Sequence, residues 1–337
     1  MATIYRESDV DPNLIKSLKV AVVGYGSQGH AHSLNLKDSG VEVKVALHVE
    51  SLSWRKAELA GLKVVTVPEA AEWADAIMFC TPDVPMSDIY RESVADHLRP
   101  NQTLLFAHGF NIHYKLIIPP PFVNVAMVAP KGPGKALRSE FVAGRGLFAL
   151  LGVQQDASGK AKDVALSYAW GIGCARTGIL LSTFKEETEA DLFGEQAVLC
   201  GGITSLVKAG FETLVEAGYQ PEAAYFECMH ETKLIVDLLY EGGLAHLYKS
   251  ISDTAEWGAY VAGNKVVNEQ SRAAMKSLLA DIQDGKFAEN WIAENEAGRP
   301  NMNRIRNEEI AHPVEPVGQE LRALMSGTTP KEHTAKS

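Results

Sequence analysis

Short apolar runs alternate with helical patterning through the first half of the chain. The runs at 20–23, 41–47, 63–66, 76–80, 103–107, 123–128 and 147–153 are too short for helices, and the stretches between them, such as 84–98, carry helix-like spacing. This alternation predicts a parallel sheet with helices on both faces. Gly40 stands where a left-handed cap would end the first helix, and Pro68, Pro82 and Pro100 punctuate later joins. After Thr183 the alternation stops, and long segments rich in Ala, Leu and Glu predict an all-α second domain. Its helix breaks are expected at Gly201-Gly202, Gly218, Gly242-Gly243 and Arg299-Pro300. The expected organisation is a dinucleotide-binding α/β domain over 1–182, a helical domain over 183–328, and a disordered polar tail over 329–337.

A chain of 337 residues with 46% hydrophobic and 22% charged positions is an ordinary globular protein, long enough for two cores. Its formal net charge of -10 argues against nucleic acid, because phosphate binding needs clustered Lys and Arg, and it suits cations. The start, 1–17, is polar and lacks the apolar core of a secretory signal. No uninterrupted apolar stretch approaches the roughly 18 to 20 residues of a spanning helix, so no membrane partner is expected. Cys80, Cys174, Cys200 and Cys228 lack paired spacing and read as reduced core thiols in a cytoplasm.

The most informative segment is Gly24-Tyr25-Gly26-Ser27-Gln28-Gly29. It follows the strand 20–23 and opens a helix running to about Ser39. In a Rossmann-type βαβ unit the first glycine makes the turn, the second admits the pyrophosphate and the third lets helix and strand pack closely. The helix N-terminus then faces the phosphates with unpaired N–H groups. Adenosine specificity is set about 20 residues further on, where the chain reads His48-Val49-Glu50-Ser51-Leu52-Ser53. Ser51 and Ser53 can bind a 2′-phosphate, whereas Glu50 can accept from a free 2′-hydroxyl and repel a phosphate, so NADPH and NADH both stand as cofactors. Asp83-Val84-Pro85-Met86, in the loop after a buried strand, is placed to touch the dinucleotide.

In the helical half, Asp191 with Glu195 and Glu227 with Glu231 are spaced i,i+4, which puts each pair on one helix face. Like charges so placed destabilise a bare helix, and acids in apolar company need a partner. All-oxygen donors suit Mg2+, and two such pairs could form a two-metal site. A competing pattern, Glu227-x-x-His230 with Glu309-x-x-His312, fits the di-iron bundle element, but Pro313 ends the second copy.

Taken together, the chain resembles the class I, short-form ketol-acid reductoisomerases over nearly its whole length. The resemblance rests on Gly24-Tyr25-Gly26-Ser27-Gln28-Gly29-His30-Ala31, Ala107-His108-Gly109-Phe110, Ala129-Pro130-Lys131-Gly132-Pro133-Gly134, the stretch from Glu186 to Gln196, and Ser250-Ile251-Ser252-Asp253-Thr254-Ala255-Glu256. It implies a Rossmann domain followed by a knotted helical domain, with the active site between the domains of an obligate homodimer, in some members a dodecamer. The implied reaction is alkyl migration in a small-molecule substrate, 2-acetolactate or 2-aceto-2-hydroxybutyrate, then NAD(P)H reduction to the 2,3-dihydroxy acid in branched-chain amino-acid biosynthesis. It further implies two Mg2+ held by Asp191, Glu195, Glu227 and Glu231, with Ser252 on the substrate carboxylate. Glu195 would also relay protons, Lys131 would stand beside the metal waters, His108 would occupy an active-site position, and Gly134 would admit the nicotinamide. A metal-free reductase of similar domain plan and a non-catalytic dinucleotide sensor are the rival readings.

Overall fold

The computed structural model describes residues 2–327, and the tail expected at 329–337 lies outside them. The chain divides into two compact units, Met1–Ala190 and Asp191–Ser337.

Among the described residues the first unit holds a nine-stranded sheet in the order β1-β9-β8-β7-β6-β5-β2-β3-β4. The strands are β1 (Ile4–Tyr5), β2 (Lys19–Val23), β3 (Glu42–Ala46), β4 (Lys63–Val65), β5 (Ala76–Phe79), β6 (Thr103–Phe106), β7 (Asn124–Pro130), β8 (Ala149–Gln155) and β9 (Ile179–Leu181). From β4 to β7 all neighbours run parallel. Strand order reverses between β2 and β5, and the crevice beyond the carboxyl ends at such a switch point is where doubly wound sheets bind ligands.

Both faces of these strands are apolar because both are covered. Val20 and Val22, Ala76 and Met78, and Leu105 join one core, while Ala21 and Val23, Ile77 and Phe79, and Leu104 and Phe106 join the other. The helix Ser27–Asp38 packs into the first core through Ala31 and Leu36, and Met86 and Tyr90 of the helix Asp83–Ser93 enter the second.

The sheet is mixed rather than wholly parallel, which corrects the expectation. The chain between β7 and β8 starts and ends at the same edge, with Pro130 opposite Ala149, so β8 runs back antiparallel. β1 is also antiparallel to its neighbour β9. Periodicity carries no information about strand direction.

The second unit is helical. The helix Phe184–Gly194 crosses the unit boundary and continues through a π-turn, Glu195–Leu199, into Gly201–Glu216, making one helix of 33 residues. The break expected at Gly201-Gly202 therefore does not occur. The wide turn brings the carbonyls of Gln196 and Ala197 to 2.2 Å from where a Cβ would stand on Gly201 and Gly202, so the glycines let the helix continue. Left-handed backbone does interrupt the chain at Gly218, Gly243 and Arg299. Phe211, Ala224, Tyr225 and Val314 form a small core. Leu199, Leu206, Tyr240, Leu244 and Trp257 are exposed. Cys174 is buried, whereas Cys200, expected as a core thiol, is exposed.

Candidate active site

The Gly-rich turn lies at the switch point. Gly24 has φ +100°, and its N–H donates to Ala46 O at 3.0 Å, closing the turn against β3. Gly26 is the N-cap of Ser27–Asp38 without a side-chain cap, and the space beside it is open, so the first N–H groups of the helix are available to an anion. A cavity of about 750 Å³ begins here. Gly24, Tyr25, Gly26, Ser27 and Gln28 line one side, His48, Ser51 and Ser53 another, and Thr81 and Pro82 a third. Among the described residues Gln28 Oε1 and Thr81 Oγ1 are buried polar atoms without a partner. A dinucleotide rich in hydroxyl and amide donors fits these orphaned atoms.

Other expected cofactor residues are placed differently. Glu50 is exposed and does not line the cavity; its own N–H donates to His48 Nδ1 at 3.2 Å. Gly29, by contrast, is buried behind the turn, where a Cβ would stand 2.1 Å from Gly24 O, as the packing role read for the third glycine requires. Asp83, Val84 and Pro85 open the helix Asp83–Ser93 outside the cavity wall, and Met86 is 3% exposed within the sheet core, where Asn111 Nδ2 approaches its Sδ at 3.4 Å. The cavity wall also includes Thr66, Val67 and Pro68 after β4, and Ile89, Glu92 and Ser93. The first three were findable by the rule that ligands bind beyond strand carboxyl ends. None of the described lining residues is Lys or Arg.

A second constellation in the same unit centres on Glu187, 1% exposed. Its Oε1 accepts from Lys131 Nζ at 2.8 Å, and its Oε2 accepts from the Gly109 N–H at 2.9 Å. His108 Nδ1 lies 3.1 Å from Oε2 and 3.2 Å from Oε1. His108 follows β6 and Lys131 follows β7, so two adjacent carboxyl ends deliver them to one carboxylate. Burial alone would raise the pKa of Glu187; the hydrogen bonds and charges of His108 and Lys131 outweigh it and bring the pKa down to about 2. The carboxylate is therefore an anchor for two side chains. No sequence signal singled it out among Glu186, Glu187 and Glu189.

Asp191 stands one turn beyond Glu187 on the helix Phe184–Gly194, and Glu195 opens the π-turn. Glu227 lies in a second π-turn, Phe226–His230, with Glu231 directly after it. Both acidic pairs thus sit at π-turns, which recur at functional sites. Asp191 is half-buried, while Glu195, Glu227 and Glu231 are exposed. Among the described residues, no three of these four acids bring ligand atoms within 4.8 Å of one another. Ser252 is the N-cap of the helix Asp253–Val266, its Oγ accepting from the Ala255 N–H at 3.2 Å. Glu309 is paired with Lys208 and His312 with Glu212, so the second half of the di-iron pattern is committed elsewhere.

A switch-point dinucleotide cavity, an anchored His–Lys pair and a helical second unit define a nicotinamide-dependent oxidoreductase. Residues 14–178 match the family described as acetohydroxy acid isomeroreductase, NADPH-binding domain, and residues 184–327 match ketol-acid reductoisomerase, C-terminal domain. The chain is 42% identical to an NADH-preferring ketol-acid reductoisomerase from an uncultured archean, covering 96% of this chain and 99% of that one with a TM-score of 0.94. The chain belongs to the ketol-acid reductoisomerase family, in its short, class I form, and is an NAD(P)H-dependent enzyme. Membership sets aside the non-catalytic sensor. More distant likenesses show the fold alone. They include a semialdehyde dehydrogenase NAD-binding protein from Cupriavidus necator (16% identity, 80% of this chain and 99% of that one, TM-score 0.62) and a pyrroline-5-carboxylate reductase from Coxiella burnetii (14%, 80% and 98%, 0.56).

Proposed function

We propose that the enzyme converts 2-acetolactate or 2-aceto-2-hydroxybutyrate to the 2,3-dihydroxy acid by Mg2+-dependent alkyl migration and reduction with NADH or NADPH, in the cytoplasm, for valine, leucine and isoleucine synthesis. The observation that carries this reading is the convergence of His108 and Lys131 on buried Glu187, one helical turn before Asp191.

The shift needs an alkoxide beside an electron-poor carbonyl. The carboxylates of Asp191, Glu195, Glu227 and Glu231 are hard oxygen donors that would hold two Mg2+, and these would supply that polarisation as Lewis acids. Lys131, fixed by Glu187, holds a positive charge and donates to substrate or water oxygen, and His108 orients the same region. Glu195 accepts and returns the hydroxyl proton. The Ser252 hydroxyl binds the substrate carboxylate at a helix N-terminus, where negative charge is favoured. The dinucleotide cavity orients the nicotinamide for hydride delivery to the new ketone.

The reading includes a homodimer. Within the helix Phe184–Glu216 an 18-residue window has a mean hydropathy of 1.4 and is only 6% buried, and the helix also carries the charged residues Glu195 and Lys208. A second copy of the chain would cover this surface.

The test measures turnover of 2-acetolactate with and without Mg2+, and in Asp191→Asn. Both removal of Mg2+ and the substitution are expected to cost several kcal/mol, about a thousandfold in rate, while NADH still binds. Full activity in chelator would establish the metal-free reductase instead.

A further inference from the structure

The turn that carries Lys131 leans on the dinucleotide loop at two points. Gln28 Nε2 donates to the Gly132 carbonyl at 3.0 Å, and the Gly134 N–H donates to Ser27 Oγ at 3.1 Å. The approach is so close that a Cβ on Gly134 would stand 1.8 Å from the carbonyl oxygen of Ser27. At its other end the turn is fastened to the sheet by the Lys131 N–H donating to Phe148 O at 2.8 Å, and it presents Lys131 Nζ to Glu187. Between these fastenings lie Gly132, with φ +155°, and Pro133-Gly134. Two glycines leave the turn conformationally free unless something outside it fixes its path.

We infer that Gln28 is a positioning residue for Lys131, acting through the Gly132 carbonyl, in addition to lining the cofactor cavity. Its amide faces both ways. Nε2 holds the Lys131 turn, while Oε1 is a buried acceptor without a partner among the described residues, in a side chain that lines the dinucleotide cavity. A donor from the bound dinucleotide completes Oε1 and fixes the amide plane, and a fixed plane aims Nε2 at Gly132. Cofactor occupancy thereby stiffens the segment from which Lys131 projects. The inference rests on the proposed role of Lys131 at the substrate, and its test separates the two.

Gln28→Met keeps the length of the side chain and removes the donor. Its effect is measured in the wild-type and in the Lys131→Arg backgrounds, as kcat with 2-acetolactate and Mg2+ and as the Kd of NADH from its fluorescence. In the wild-type background kcat is expected to fall roughly ten- to a hundredfold, the scale of a small misplacement of a reacting group. In the Lys131→Arg background, where the positioned group has already been changed, the further loss is expected to stay below about threefold, because residues acting as a unit are non-additive. The NADH Kd should change by the same factor in both. Equal losses of kcat in the two backgrounds, or no loss in either, overturn the inference and leave Gln28 with a cofactor role alone. Hydrogen exchange of the peptide spanning 131–137 supplies a readout independent of turnover. NADH should slow it in the wild type and not in Gln28→Met. Equal slowing in both overturns the inference, whereas a wild type that shows the predicted exchange but no acetolactate turnover overturns the proposed function instead.

Discussion

The two units hold their functional side chains in opposite ways. In Met1–Ala190 two dense cores, one on each face of the sheet, fix the strand ends, and the strand ends fix the site: His108 and Lys131 reach Glu187 because β6 and β7 are neighbours. In Asp191–Ser337 the four acids stand on helices whose buried core is small, three of them exposed, amid many exposed apolar side chains. A cofactor site can be built from the strand ends of one chain. Like charges on helices with so small a core are not drawn together by packing alone, and in the proposed site they would need cations and further surface over the helices that carry them.

The sharpest way to break this comparison is to keep the helical unit uncovered. Leu206 is 56% exposed on the long helix. Leu206→Glu is expected to convert the proposed dimer into a monomer by light scattering and to lower acetolactate turnover at least about a hundredfold, since a charge buried without a partner disfavours association by several kcal/mol. NADH binding should persist, because the dinucleotide cavity belongs to the first unit. A fully active Leu206→Glu monomer would show that the helical unit completes itself.

A smaller effect tests the self-sufficiency of the first unit. Glu187 has its pKa lowered from 4.5 to about 2 in the folded protein, so its contribution is complete above the unfolded value and is lost as pH falls from about 4.5 towards 2. The shift corresponds to a contribution on the order of 3 kcal/mol at neutral pH. Denaturant unfolding of Glu187→Gln should therefore differ most from the wild type at neutral pH, with the gap closing below about pH 4.5. A gap that stays constant with pH would mean that the carboxylate is held by packing, not by His108 and Lys131.

How far the sequence revealed each region follows from the same contrast. The Gly-rich turn was legible because its requirements are local: a strand, three glycines and a helix within one short segment. The i,i+4 acids were legible for the same reason, although the π-turns that redirect them were not. Glu187 was hidden among three acids in four residues, because only the packing of its helix decides which carboxylate is buried. Asn111, 1% exposed and donating to Asp83 O at 2.9 Å, was hidden likewise. The reversal at β8 depends on where a connection ends, and Ile4–Tyr5 and Ile179–Leu181 are too short to show a period.

The smallest expected effects concern the 2′ loop, where sequence and structure weigh the same residues differently. Read as a string, Glu50 opposes a 2′-phosphate and Ser51 and Ser53 favour it. In the fold, Glu50 stands outside the cavity while His48, Ser51 and Ser53 line it, and no Lys or Arg joins them among the described lining residues. A 2′-phosphate would then find hydroxyls but no fixed positive charge, and a free 2′-hydroxyl would lose little. The proposed use of NADH rests on the lack of a cation among these lining residues more than on the acid. Glu50→Ala is accordingly expected to change the NADH-to-NADPH ratio of kcat/KM by less than about twofold, as suits an exposed charge screened by water. His48→Arg, which puts a guanidinium on the cavity wall, should lower that ratio about tenfold, in favour of NADPH, the scale of one charge-assisted contact. A large response to Glu50→Ala with none to His48→Arg would return the carboxylate to the centre of the argument, because it would show that the loop closes over the ribose and carries Glu50 inward.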